Sequence, residues 1–171
     1  MHTARTLAGL SIAGLTGLAV LTPATAHAAG PAAGAADARS AQTAAPGPWG
    51  PHYAAGRKAR AAGSLTATAK DDPSRPADRV TVTGRVTDLT GSPSTCGWAV
   101  FRLSVAEAGG RVSLKQRHYR ACAHGRPLTF TFSHKNVYQV ELKVCAEAKA
   151  SKPSLHCLYA GTWKPLYTYY A

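Results

Sequence analysis

Acidic residues are scarce in this chain: 171 residues contain 8 Asp and Glu against 20 Lys and Arg, a formal charge of +12. Hydrolysis by paired carboxylates needs two acids converging on one pocket. Here the acids are scattered, with Asp71, Asp72 and Asp78 in a Pro-rich turn. No strand-turn-helix nucleophile elbow, Gly-rich phosphate loop or His-Glu-x-x-His occurs either. No catalytic residue is therefore assigned, and a small secreted enzyme is only the third functional reading. Metal ligands are equally thin, because His52, His118, His124, His134 and His156 show no helical i, i+4 pairing. No metal or other cofactor is expected. No cysteine precedes Cys96, which excludes a lipid-modified cysteine near the N-terminus. No long apolar run follows the first one, so no permanent membrane anchor is expected, and no long amphipathic helix can be drawn from Val80 onward.

What is present begins with an export signal. Met1 to Arg5 carries one cation and no acid, and the run Leu7 to Leu21 is free of charge. A bilayer span needs roughly twenty apolar residues, and this run is shorter and polar at Ser11 and Thr16. Pro23 then precedes small residues at Ala26 and Ala28, the pattern of a cleavage site. Residues 1–28 read as a signal peptide cleaved near Ala28, without the Arg-Arg pair of a twin-arginine signal. The expected destination is extracellular. Cleavage removes one cation, Arg5, so the mature charge falls from +12 to +11.

Residues 29–48 are almost all Ala, Gly, Pro, Ser and Thr and read as a disordered leader. Residues 49–171 suffice for one domain with a real core. Within them, polar and apolar residues alternate with period two over Ser64–Ala69, Arg79–Asp88, Trp98–Ala106, Arg111–Cys122, Pro127–Ser133 and Val137–Ala146. Leu155–Tyr170 reads as one or two further strands, and Arg57-Lys58-Ala59-Arg60 as a solvated strap. The fold class is all-β: an antiparallel β-sandwich of about seven strands, Ig-like in architecture, with a small barrel as the variant.

Four cysteines in an exported chain count first as two disulfides. If Gly109-Gly110 closes a hairpin, residues whose numbers sum to 218 or 219 face each other. Cys96 and Cys122 satisfy 218, so the expected bridges are Cys96–Cys122 and Cys145–Cys157. Matching of apolar faces prefers 219, with Val105 against Leu114 and Phe101 against His118, and one bulge would reconcile the two. Cys145 shares the parity of Gln139, Glu141 and Lys143, which predicts a peripheral staple on a solvent face.

The excess of cations turns into a question about partners. Arg102, Arg111, Lys115, Arg117, Arg120 and Arg126 concentrate on the predicted hairpin with Tyr119 among them, the composition of a polyanion-binding face. The first functional reading is a non-catalytic extracellular module for an anionic cell-wall polymer, cell-surface component or nucleic acid. The second is a protein-binding or protease-inhibitor module that presents the loop between Cys145 and Cys157 to an extracellular protein. The aromatic tail Tyr159, Trp163, Tyr167, Tyr169 and Tyr170 offers a possible stacking platform. With its signal sequence, its Ala-, Arg- and Gly-rich usage, Trp98-Ala99-Val100-Phe101 and Tyr138 to Cys145, the chain resembles small uncharacterised secreted proteins of high-GC actinobacteria. The resemblance implies no activity.

Overall fold

The computed structural model describes residues 47–69 and 75–169. The signal peptide, the leader as far as residue 46, Asp71, Asp72 and Tyr170 lie outside the described residues. Seven strands form one antiparallel sheet: β1 (Gly47–Tyr53), β2 (Ala59–Thr68), β3 (Ala77–Asp88), β4 (Thr95–Ala106), β5 (Val112–Ala121), β6 (Pro127–Ala148) and β7 (Lys164–Thr168). Their order is β1-β2-β3-β6-β4-β5, with β7 also on β6. β1 starts at Gly47, inside the stretch read as leader.

The sheet closes over its own inner face. β6 makes this possible, because its N-terminal half pairs with β3 through Pro127–Val137 and its C-terminal half with β4 through Val137–Ala148. The sequence suggested two strands separated by a turn at Ser133–Asn136, but the chain runs through. Asn136 adopts a left-handed φ of 56°, and inward burial passes from Phe130 to Val137 and then Val140 and Leu142. A local kink of this kind changes which face a strand presents. One core joins both halves: Trp49 stands edge-on to Phe101 and stacks on Phe130, and Tyr119 stacks on Phe130 at 4.3 Å. Gly63 and Gly84 face each other across β2 and β3 directly beneath Trp49, so a Cβ at Gly84 would sit 2.6 Å from the indole.

Tyr119 also decides the register of the β4–β5 hairpin. The pairing follows the sum 218 throughout, with Gly97 opposite Ala121 and Val105 opposite Ser113, and needs no bulge. Phe101 therefore faces Arg117 rather than His118. This register turns Tyr119 and Ala121 inward and leaves Val112 and Leu114 60% and 66% exposed. An aromatic pair contributes roughly 0.5–1.5 kcal/mol beyond its buried area, and the same register aligns Cys96 with Cys122. Both expected disulfides are present, with Cα–Cα distances of 4.2 Å for Cys96–Cys122 and 5.8 Å for Cys145–Cys157.

The second bridge is not peripheral as expected. The face of β4 and β6 that carries Cys96, Trp98, Val100 and Cys145 is covered by the segment after β6, which forms a second, smaller core with Cys157, Leu158 and Trp163. That segment begins with a helix, α1 (Leu155–Tyr159), where a strand was expected. Ser154 caps it, its side chain accepting from the Cys157 amide, while the Ser154 amide and hydroxyl both donate to Glu147. Lys143, 5% exposed, donates from Nζ to the carbonyls of Leu158 (3.0 Å), Ala160 (2.9 Å) and Gly161 (3.4 Å). A cation at the end of a helix satisfies carbonyls that the helix leaves unpaired. The basic strap also differs from expectation, since β2 takes up Ala59 and Ala61, both fully buried.

Candidate anion-binding faces

Two strongly basic surfaces are formed, and only one of them was visible as a run of sequence. Of the six expected cations, five lie on the β4–β5 hairpin and separate, while Arg126 lies in the turn between β5 and β6, next to Pro127. Arg102 lies on the outer face of β4, where Nε and Nη2 contact Glu141 Oε2 at 2.8 and 2.7 Å and the guanidinium covers Trp163 at 4.5 Å. Lys115 pairs with Glu107 at 2.9 Å. Lys115 and the Ser113 hydroxyl together hold the Glu107 carboxyl below its ordinary value. Arg120 lies over Trp98 at 5.5 Å, on the opposite side of β5 from Lys115 and Arg117. Arg111, Arg117 and Arg126 are exposed and have no ion-pair partner among the described residues. Period-two alternation thus divides the set between two faces, and acids occupy two of its members.

The second surface is the outer face of β2, β3 and the first half of β6. Its residues are those whose neighbours in sequence enter the core: Ala61, Leu65 and Ala67 point inward on β2, Val80, Val82 and Val86 on β3, Phe130 and Phe132 on β6. The alternate positions fall into five rows, Arg60-Thr87-Pro127, Ala62-Arg85-Thr129, Ser64-Thr83-Thr131, Thr66-Thr81-Ser133 and Thr68-Arg79-Lys135, of which Thr87 is buried. Rows lie about 6.7 Å apart and strands about 4.8 Å apart. The array is therefore about 27 Å long and about 10 Å wide. Hydroxyls link across strands at 2.8 Å, Ser64 to Thr83 and Thr81 to Ser133. β-branched Thr suits a pleated surface, which accounts for the middle rows.

The ends are not accounted for by strand propensity. None of the five rows contains an acid. At one end Arg79 of β3 stands directly opposite Lys135 of β6. At the other, Arg60 and Arg85 are diagonal neighbours on β2 and β3 and line a small cleft of about 140 Å³ with Pro51 and Ala62. Like charges directly opposite each other in a sheet are destabilising, and none of these four cations has an ion-pair partner among the described residues. Sequence reading missed this face because its charges come from three separated segments; the missing acids at outward positions of Arg79–Asp88 and Pro127–Ser133 were the available signal.

The aromatic tail does not assemble into one platform. Tyr159 is exposed, Trp163 packs over Arg102 and Lys143, and Tyr169 meets Tyr138 edge-on at 4.9 Å. The loop between Cys145 and Cys157 is tied down at both sides, by Lys149 N to Ser94 O at 2.8 Å and by Glu147 to Ser154. Among the described residues no group of three or more His, Cys, Asp or Glu is placed to hold a metal ion, and no helix is long and apolar enough to cross a membrane. Comparison with known proteins adds no kinship: no protein family, curated protein or solved structure matches this chain.

Proposed function

We propose that this protein is exported and acts as a non-catalytic module that binds an extended anionic polymer along the outer face of β2, β3 and β6. The observation that carries the reading is the acid-free array with like charges opposed at its end, Arg79 against Lys135. Such a pair costs stability in the free protein, and a bound anion that meets both cations removes the cost. Hydroxyl rows between the two cationic ends supply donors and acceptors to a chain lying along the strands. Export agrees with the two disulfides, which persist in oxidising compartments.

The test is binding of fluorescent polyphosphate, single-stranded DNA and hyaluronate across a salt series. Affinity for the preferred polymer should fall steeply with salt, as counterion release requires. R79A/K135A should bind more weakly with a shallower salt slope, yet melt at or above the wild-type temperature. R60A/R85A should also weaken binding, whereas R111A/R117A on the hairpin should have the smaller effect. Salt-independent binding, or outer-face variants that bind as the wild type does, would overturn the proposal.

A further inference from the structure

Between the end of β1, the second half of β6 and the segment carrying α1 lies a cavity of about 380 Å³. It is separate from the outer face and is lined mainly from the covered side of the sheet. Cavities of roughly 300–1,000 Å³ with an apolar wall and a few convergent polar groups are the usual size of small-molecule sites. The apolar wall is made by Val144, Ala146, Ala55 and the Cys145–Cys157 bridge. The polar groups are His52 and Tyr53 from β1, Lys143 and Glu147 from β6, His156 from α1, and Thr162 and Lys164 at and before β7.

The state of each polar group decides which ligand charge the cavity accepts. Glu147 accepts one hydrogen bond on each carboxylate oxygen, from the Ser154 amide and hydroxyl, which turns it toward the start of α1. Lys143 is committed to three carbonyls, and its charge remains in the wall. The side chains of Lys164, His52 and His156 have no hydrogen-bond or ion-pair partner among the described residues. Burial first, and then Lys164, hold His52 below its ordinary value. The lining thus carries more cationic than anionic side chains, Lys143 and Lys164 against Glu147, beside an apolar wall.

We propose that this cavity is a binding site for a small organic carboxylate, its apolar body against Val144, Ala146 and Ala55 and its carboxylate received by Lys164 with His52 and His156. The carboxylate offsets the repulsion between Lys164 and His52, so binding raises the proton affinity of His52 and tightens as pH falls. Lys143 and Glu147 line the same space from β6, Tyr53 from β1 and Lys164 from β7, and the pH response is carried by His52. A free acid and the C-terminus of a peptide present the same group, and the experiment separates them.

Long-range ¹H–¹⁵N spectra of the imidazoles in the disulfide-bonded full chain give the readout. The probes are hexanoate, hexylamine, and an N-acetylated Ala-Ala-Leu peptide with a free or an amidated C-terminus. Hexanoate or the free-acid peptide should shift His52 and His156 saturably, more tightly at lower pH, and the tighter of the two names the source. Hexylamine and the amidated peptide should leave both unmoved. K164Q, an exposed change, should weaken the carboxylate by roughly fivefold to tenfold without altering polyphosphate binding by the outer face. The proposal is overturned by no saturable shift up to about 10 mM, by an equal response to hexylamine, or by unchanged affinity in K164Q.

Discussion

Replacing Lys143 with Met tests whether one buried charge holds the covering segment in place. Met keeps an unbranched stem of similar length, so the packing of the stem is retained while the charge and its donors are lost. Two of its hydrogen bonds are of ordinary length, 3.0 Å to Leu158 O and 2.9 Å to Ala160 O, and the third is long at 3.4 Å to Gly161 O. Bonds from a charged donor contribute about 1.5–3 kcal/mol each, so the two short ones are together worth about 3–6 kcal/mol. Against this stands the cost of keeping an ammonium out of water, an effective few kcal/mol. Burial is the main reason that the Lys143 amine is held below its ordinary value, and Arg102 adds to it while Glu141 opposes it. The difference predicts a net loss of about 1–3 kcal/mol. At roughly 4 °C per kcal/mol for a domain of this size, the melting temperature should fall by about 4–12 °C. Circular dichroism with the disulfides intact measures that fall. Hydrogen exchange locates it: the amides of Leu158 and Ala160, which bond to Ser154 O and His156 O, should lose protection well before those of β3 and β4. A K143M protein that melts with the wild type and keeps those two amides protected would refute the reasoning.

G84A should destabilise by about 1–3 kcal/mol through overpacking, because the new methyl meets Trp49 at 2.6 Å and Phe130 at 2.9 Å; W49F should recover part of the loss, and additive effects in a double-mutant cycle followed by denaturant unfolding would refute the contact. Serine replacement of both cysteines should cost about 3.5 kcal/mol at Cys96–Cys122 and about 2.8 kcal/mol at Cys145–Cys157 on the chain-entropy model, for separations of 26 and 12 residues. Urea midpoints check the order of those two values. His52 takes up a proton less readily in the folded chain than in the unfolded one, so its contribution is complete above its ordinary value of 6.5 and is lost as pH falls below it toward the folded value. The melting temperature of H52Q should accordingly vary less than that of the wild type between about pH 7.5 and about pH 5.

Legibility in the sequence followed the size of the side chains that alternate. Val80, Val82 and Val86, and Phe101, Leu103 and Val105, made β3 and β4 plain, and the numbering of Cys96 and Cys122 led to the hairpin. The first half of β2 was hidden because its buried residues are Ala59 and Ala61, too small to mark a face. β1 was hidden by its glycines and prolines, with Trp49 alone revealing that it enters the core. α1 has five residues and owes its form to the Ser154 cap and the Cys157 bridge, tertiary features with no period to read. β6 read as two strands because Ser133–Asn136 is polar enough for a turn, although Arg79 pairs with Lys135 inside it. That pairing is also why the outer face went unread: opposition across a sheet depends on register, which is fixed only when the core closes. The six cations were read as one concentration on the hairpin, but Arg126 lies beyond it and alternation sends Arg120 and Arg117 to opposite sides of β5.

Among the described residues β5 pairs only with β4, so Val112–Ala121 leaves one row of backbone groups without a strand partner there, next to the exposed Val112 and Leu114. An open row beside exposed apolar side chains is a template for adding another strand. A second copy offering its own β5 would set Lys115, Arg117 and Arg120 against their counterparts, a repulsion that concentrated salt screens. The same charges that read as a ligand face therefore act as a guard on the border, and it is in high salt that the guard is weakest.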